Sequence, residues 1–341
     1  MKEIKDIIAA YNLWQQEDVQ LALATVIDVE QSSYRRPGAR MLIRADGQWT
    51  GGISGGCLEG DTLKKAKLAI HTGEAAVITY DTRDGDDSQI GVGLGCNGLI
   101  RVLVTPLTDE DKSAMGALYE AAATRVSSLL ITDTSTGSTT HHNATAYTGA
   151  LSAVAQDVMH DRKSRLHRIG SQLLFLEYLP PAVQLIIFGG NYDVIPMAQI
   201  ATAVGWEVTV VTKLSKVSRE LQAAATSILT HQQKLPEVDR YSAALLMSHD
   251  YNRDLTNLRN IAALPWAYIG LLGPKKRREK LLLELPADVA INQIVLHGPM
   301  GLDTGATTPE EIAISVLAEI RTILSQRAGS HLRDRVPPIN V

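Results

Sequence analysis

The run Gly51-Gly52-Ile53-Ser54-Gly55-Gly56-Cys57-Leu58-Glu59-Gly60 is the densest concentration of chemically useful residues in this 341-residue chain. Glycine at so many positions serves close backbone approach or positive φ rather than a core. A helical pattern opens at Ser54, with Leu58, Leu63, Ala66, Ala69 and Ile70 on one side and Gly73 as a stop. Cys57 is therefore expected in or just before a first helical turn, where free N–H groups and the helix dipole favour a thiolate. Cys96 has a similar setting in Gly93-Leu94-Gly95-Cys96-Asn97-Gly98. Free cysteines are often small buried hydrophobes, so the argument for chemistry rests on the glycines around the thiols. The same segment matches G-x-S-x-G at Ser54, the nucleophile elbow of serine hydrolases. Only about two expected strands precede it, too few for that sheet, and hydrolysis is set aside.

Three further segments could hold an anion. The turn Gly189-Gly190-Asn191-Tyr192-Asp193-Val194 resembles G-x-G-x-x-G/A with only its first glycine in place. Asn191 can adopt a left-handed conformation but crowds a pyrophosphate, and the strand that follows ends in Thr212-Lys213 without a ribose-binding acid. NAD(P) binding is thus left open but weakened, with Lys213 favouring an extra phosphate over a free 2′-hydroxyl. In Leu272-Gly273-Pro274-Lys275-Lys276-Arg277-Arg278, four cations occupy a first helical turn whose dipole repels them. A phosphate held by the turn's N–H groups with Lys275 or Arg278 relieves that conflict, as does a solvated face offset by Glu279 and Glu284. Finally, Gly298-Pro299-Met300-Gly301-Leu302-Asp303-Thr304-Gly305 precedes a helix start with Thr308 as N-cap, Pro309 at N1 and a capping box to Glu311. That loop follows an expected strand, where open α/β sheets bind ligands.

The elements that must position these residues read as two domains and a tail: 1–180, 181–330 and 331–341. A helix up to about Gln20 carries Ile4, Ile7, Ile8, Tyr11 and Trp14 at helical spacing, followed by strands at Leu21 to Val29 and Arg40 to Ile43 and a hairpin turn at Asp46-Gly47. The polar tract Thr132 to Thr148, with His141 and His142, reads as a surface hairpin or loop, and Leu173 to Leu179 as a strand. Pro180-Pro181 marks the boundary. Beyond it Gln184 to Phe188, Val194 to Val204 and Val208 to Val211 form a βαβ unit. Strands at Ala243 to Met247, Ala267 to Leu272 and Ile291 to Leu296, with helices near Pro274 to Leu285 and Pro309 to Gln326, complete a doubly wound, Rossmann-like parallel-sheet domain. The N-terminal domain is expected to be α/β as well.

Composition narrows the function. A net charge of -4 supplies no global field for nucleic acid or an anionic membrane, so any anion site must be local. No apolar run reaches a membrane span and the start has no secretory h-region, which points to a cytoplasmic protein with free thiols. CxxC and HExxH are absent, and His141 and His142 have no carboxylate or cysteine ligand at matching spacing.

Ser32-Ser33 with Arg35-Arg36-Pro37-Gly38-Ala39, Gly52 to Gly60 and Gly93-Leu94-Gly95-Cys96 resemble the N-terminal domain of the xanthine dehydrogenase accessory factor family, XdhC/CoxI. Ile187-Phe188-Gly189, Ser248-His249-Asp250, Tyr268 to Gly273 and Gly301 to Ala313 resemble that family's Rossmann domain. The resemblance spans nearly the whole chain. It implies binding of the molybdenum cofactor (molybdopterin), support for exchange of a molybdenum oxo ligand for sulfur with a cysteine desulfurase, and delivery to a xanthine dehydrogenase-type molybdenum hydroxylase. A cofactor-binding chaperone is expected in preference to an enzyme, and a homodimer in preference to a monomer. Cys57 is then the expected contact to molybdenum or sulfur, because a polarizable thiolate suits either. Gly55 and Gly56 would give backbone approach, Arg35 or Arg36 an anion contact, and Glu59, Cys96, Gly189, Gly190, Asn191, Lys275, Gly301 and Asp303 further cofactor contacts. Where the family usually has Gly-Ala-Gly-His-Asp-Ala, this chain has Asn191 and Tyr192 for the second glycine and the histidine, Thr212 for an Asp, and Pro274 for a common serine. Two other readings stand beside this one: an NAD(P)-dependent oxidoreductase using the second domain, and a scaffold that binds protein alone.

Overall fold

The computed structural model describes residues 1–31, 33–81, 98–108, 112–143, 150–285 and 295–334. The chain divides into two compact units, Met1–Pro181 and Ala182–Val336. In the first, α1 (Lys2–Trp14), β1 (Leu21–Gln31), β2 (Arg40–Arg44), β3 (Trp49–Gly51), α2 (Glu59–Thr72), β4 (Ala76–Asp81) and β5 (Gly98–Leu107) are followed by α3 (Ser113–Ala123), β6 (Ser128–Asp133), β7 (Thr139–Asn143), α4 (Ala150–Asp161), β8 (Arg165–Ile169) and β9 (Gln172–Leu179). Five strands pair in the order β3-β2-β1-β5-β4 and four in the order β7-β6-β9-β8. Every pairing in both sheets is antiparallel.

The alternation of a strand explains how one segment serves two cores. Leu21 and Leu23 of β1 pack with Ile4, Ile7 and Tyr11 of α1 and Met115 and Leu118 of α3. Ala22, Ala24 and Val26 point the other way, onto Ile53, Leu58, Ala66 and Ala69. The second sheet covers its own outer face with Ala155 and Val158 of α4. A buried ion pair ties β2 to β9: Arg40 Nη1 donates to Glu177 Oε1 at 2.8 Å and Nη2 donates to Oε2, with the two side chains 5% and 3% exposed.

In the second unit β10 (Gln184–Phe188), α5 (Val194–Ala203), β11 (Glu207–Val211), a 3-10 turn at Leu214–Lys216, α6 (Arg219–Ala224), β12 (Ser227–Leu229), β13 (Ser242–Leu246), α7 (Tyr251–Ile261), β14 (Tyr268–Leu271), α8 (Lys275–Leu283), β15 (Leu296–His297) and α9 (Pro309–Leu324) follow in turn. The strands are parallel in the order β12-β11-β10-β13-β14-β15. Continuous apolar strands such as Gln184–Phe188 suit a sheet covered on both faces. One face packs α5 and α9 through Met197, Ala201, Val316 and Ile320, and the other α7 and α8 through Leu258, Ile261 and Leu281. This is the doubly wound fold expected from the sequence, with its order reversing between β10 and β13.

The capping box of α9 forms as its sequence requires: Glu311 N donates to Thr308 Oγ1 at 3.3 Å, and Thr308 N donates to Glu311 Oε2 at 3.1 Å. Thr308→Ala is expected to lower stability by about 1 kcal/mol, read as a shift of the urea midpoint. No described helix is long and apolar enough to cross a membrane.

Candidate functional site

The glycine-rich segment forms a loop from the end of β3 to the start of α2, tied to β2 by Gly52 N donating to Arg40 O at 2.8 Å. Gly51 has φ +79, and a Cβ there would stand 2.3 Å from Arg40 O, so glycine is required at this entry. The helix begins at Glu59 and not at Ser54, as the sequence pattern suggested. The reason is local competition for amides: Ser54 Oγ accepts from Gly56 N at 3.2 Å and Leu58 N at 3.1 Å. Gly56 turns through φ +112, and a Cβ there would meet nothing within 4 Å. Cys57 thus lies just before the first turn of α2, half-buried, its thiol donating to Ser54 Oγ at 3.5 Å.

Glu59, expected to contact a ligand, braces the loop. Its Oε1 accepts from Ile53 N at 3.2 Å and Ser54 N at 2.9 Å, and its Oε2 accepts from Ser54 Oγ at 2.5 Å. The residue is 9% exposed, so both oxygens serve the loop. Burial pushes the Glu59 carboxyl up, but hydrogen bonds from Ser54 and from the backbone outweigh it and hold the group below the ordinary carboxylate range. A carboxyl lowered on folding stabilises above its unfolded value, ~4.3, and that contribution is lost as pH falls through the folded value. Glu59→Gln is expected to flatten the acid limb below about pH 4.3 in a plot of unfolding midpoint against pH; an unchanged limb would remove Glu59 from this role.

The Ser33–Pro37 turn adjoins the loop, since the exposed Tyr34 ring comes within 3.7 Å of a Cβ placed on Gly55. Tyr34 was not singled out from sequence, and its aromatic type beside Arg35-Arg36 was the available signal. Arg35, an expected anion contact, has its Nη2 donating to Glu3 Oε1 at 2.5 Å. Arg36 contributes a carbonyl to Ala39 N at 3.1 Å. Gly38 has φ +94, and a Cβ there would stand 2.5 Å from Glu177 Oε1. Much of Arg35-Arg36-Pro37-Gly38-Ala39-Arg40 is therefore built around structural ion pairs. Cys96 and Gly93–Asn97 lie outside the described residues.

In the second unit the reversal of strand order brings the Gly189–Asp193 turn beside Ser248-His249-Asp250. His249 Nε2 lies 2.7 Å from Asp193 Oδ2, a pairing across 56 residues that spacing does not reveal. The left-handed residue is His249, with φ +57, and not Asn191. A Cβ on Gly189 would meet Met247 O at 2.4 Å, and one on Gly190 would meet Thr212 Oγ1 at 2.2 Å. Asn191 Oδ1 accepts from Lys216 Nζ at 2.7 Å, so Lys216, and not Lys213, reaches the turn.

The cationic start of α8 is mostly accounted for. Arg277 Nη2 donates to the buried Asp254 at 2.7 Å, and Lys275, 72% exposed, has its Nζ 3.8 Å from Glu279 Oε1. Gly301 N donates to Glu319 Oε2 at 2.8 Å, and Asp303 is exposed. His141 lies 3.0 Å from Glu120 Oε2 and 2.8 Å from Ser128 Oγ, a carboxylate partner brought in from α3. Among the described residues no group of three or more metal-ligating side chains forms.

Residues 14–81 match the family described as the XdhC and CoxI family, and residues 185–320 match the XdhC Rossmann domain. A protein of Bacillus subtilis (strain 168) described as a probable xanthine dehydrogenase subunit is 30% identical over 89% of this chain and 93% of its own length. The molybdenum cofactor insertion chaperone PaoD of Escherichia coli (strain K12) is 24% identical over 88% of this chain and 82% of its own. A crystal structure described as a xanthine dehydrogenase from Bacillus halodurans matches with a TM-score of 0.74 at 28% identity, covering 97% of this chain and 98% of that one. The similarity therefore extends through both units.

Proposed function

The chain belongs to the XdhC and CoxI family, and from that premise we propose that it is an accessory factor for a molybdenum hydroxylase of the xanthine dehydrogenase type, with the molybdenum cofactor as its cargo. In this reading it receives the cofactor, supports exchange of a molybdenum oxo ligand for sulfur supplied by a cysteine desulfurase, and delivers the product to the hydroxylase. A relative that is a molybdenum cofactor insertion chaperone supports the cargo. The observation that carries the reading in this chain is the half-buried Cys57 thiol on a loop whose polar groups are satisfied by Ser54 and Glu59. A loop braced from within is pre-organised to receive a ligand, so less ordering opposes binding.

Within that site Cys57 contacts the molybdenum or its sulfur, for which a soft thiolate is suited. Gly55 and Gly56 admit the cargo to the backbone, since Gly56 faces open space. Ser54 and Glu59 hold the loop and touch no cargo. The dinucleotide reading loses support from the second unit: the position of a ribose-binding acid is held by the buried Thr212, and Asn191 is taken by Lys216.

The test is to incubate the purified protein with molybdenum cofactor released from a donor enzyme and to measure molybdenum and pterin retained after gel filtration. Near-stoichiometric retention of both is expected. Retention of neither, with folding intact, would overturn cofactor handling.

A further inference from the structure

A tyrosine that stabilises a fold does so by burying its ring, and its hydroxyl then finds a partner. Tyr34 is 75% exposed, and its hydroxyl makes no hydrogen bond among the described residues. Single apolar groups on a surface are ordinary, so exposure alone says little. What sets Tyr34 apart is how it is mounted and what it faces.

The backbone on either side of Tyr34 is held in place. Ser33 before it is buried, and Ser33 Oγ accepts from Arg35 N at 3.3 Å. The Arg35 guanidinium after it is tied to Glu3 of α1, and the turn closes through Ala39 N to Arg36 O at 3.1 Å and Gly38 N to Val26 O at 2.8 Å. The ring is therefore carried on an ordered mounting, and little further ordering of the backbone opposes its use.

One edge of that ring meets the cysteine loop. A Cβ on Gly55 would stand 3.7 Å from Tyr34 Cγ and 3.8 Å from Cδ1, in ordinary contact. With glycine at 55 the loop meets the ring through backbone alone, and no side chain from that position covers it. Gly55 and Gly56 are both exposed, Gly56 turns through φ +112 into open space, and the half-buried Cys57 follows. Successive Cα atoms are ~3.8 Å apart, so Gly55 and Cys57 are no more than about 8 Å apart at their Cα atoms. An aromatic ring, an open stretch of backbone and a thiol-bearing residue thus follow one another over a distance that one ligand of cofactor size covers.

We propose that Tyr34 is the stacking platform for the planar bicyclic ring of the cargo, the pterin, and sets specificity at the end of the loop opposite Cys57. The identity of that heterocycle rests on the cargo reading above. A rigid aromatic side chain offers a large contact area at low entropic cost, and planar heterocycles stack on it through their π faces. The ring carries this role and the hydroxyl does not, so phenylalanine should replace tyrosine and an aliphatic side chain of similar bulk should not.

The test uses 6-methylpterin, which has the bicyclic ring but neither phosphate nor molybdenum. A dilute solution of it is titrated with the full chain, and the pterin emission, which stacking on an aromatic ring quenches, is followed to saturation. Tyr34→Ala and Tyr34→Leu are expected to weaken binding about 5- to 150-fold, the range for removal of a stacking aromatic. Tyr34→Phe and Cys57→Ala should stay within about twofold of wild type, with circular dichroism as the folding control. Equal affinity in wild type and Tyr34→Ala, an equal loss in Tyr34→Phe, binding by Tyr34→Leu as tight as by Tyr34→Phe, or no saturable quenching by wild type would overturn the platform. Retention of the whole molybdenum cofactor by the same wild-type preparation would then leave the cargo reading standing. Quenching that depends on Tyr34 in a protein that retains no molybdenum cofactor would support the platform and overturn the cargo reading.

Discussion

Cys57→Ala is expected to lower retention of molybdenum by the purified protein at least about 10-fold, and up to about 100-fold, the range typical when a group serving a metal site is lost. The fold should survive, because Cys57 is half-buried and sits before α2 and not within it. The Ser54 hydroxyl keeps its bonds to Gly56 N, Leu58 N and Glu59 without the thiol, so the loop has no reason to collapse. The measurement is molybdenum by mass spectrometry and pterin by fluorescence after gel filtration, with circular dichroism as the control. Loss of molybdenum with pterin kept would locate the thiol at the metal end of the cargo. Equal retention by wild type and variant would remove Cys57 from the site.

Glu177→Ala is the substitution with the largest expected effect on stability. It strands Arg40, which is 5% exposed and already has a buried Nε without a partner. Although burial works against its charge, Glu177 holds the Arg40 guanidinium protonated. Breaking a buried pair in this way costs about 3–5 kcal/mol, or roughly 6–20 °C in Tm for a unit of this size. Replacing both partners together, Arg40→Met with Glu177→Leu, should recover most of that loss, because no unpaired charge is left behind. Differential scanning calorimetry of the single and double variants checks both statements, and a single variant as stable as wild type would show that the pair does not hold the two sheets.

The second unit was largely legible in the sequence because its central strands are buried on both faces and its last helix, α9, carries a strong start signal. Gln184–Phe188 reads as an apolar run, and Thr308-Pro309-Glu310-Glu311 as a cap, without knowledge of anything distant. The first unit was harder. β5 carries Arg101, Thr105 and Pro106 among its apolar residues, and its two neighbours, β1 and β4, cannot be named from periodicity. α3 and α4 contain no cap that spacing would single out. The cysteine loop was found through its glycines, but its wiring was not, since Glu59 looks like a presented carboxylate until its oxygens are seen to face Ser54 and Ile53. Arg35 was likewise read as free for an anion, because its partner Glu3 is 32 residues away. The Asp193–His249 pair is a product of the reversal in strand order, and local sequence holds no record of it.

The two faces of β1 differ in bulk as well as direction: leucines face α1 and α3, alanines face α2. Small side chains let a helix sit close, so Ala22 and Ala24 act as a gauge that fixes the standoff of α2 from the sheet. Glu59 is the first residue of that helix, and its carboxylate is clamped to the Ser54 hydroxyl. Any change of thickness at the alanines is therefore transmitted along the helix axis to the seat of the thiol, so the geometry around Cys57 can be tuned from the far side of its own core.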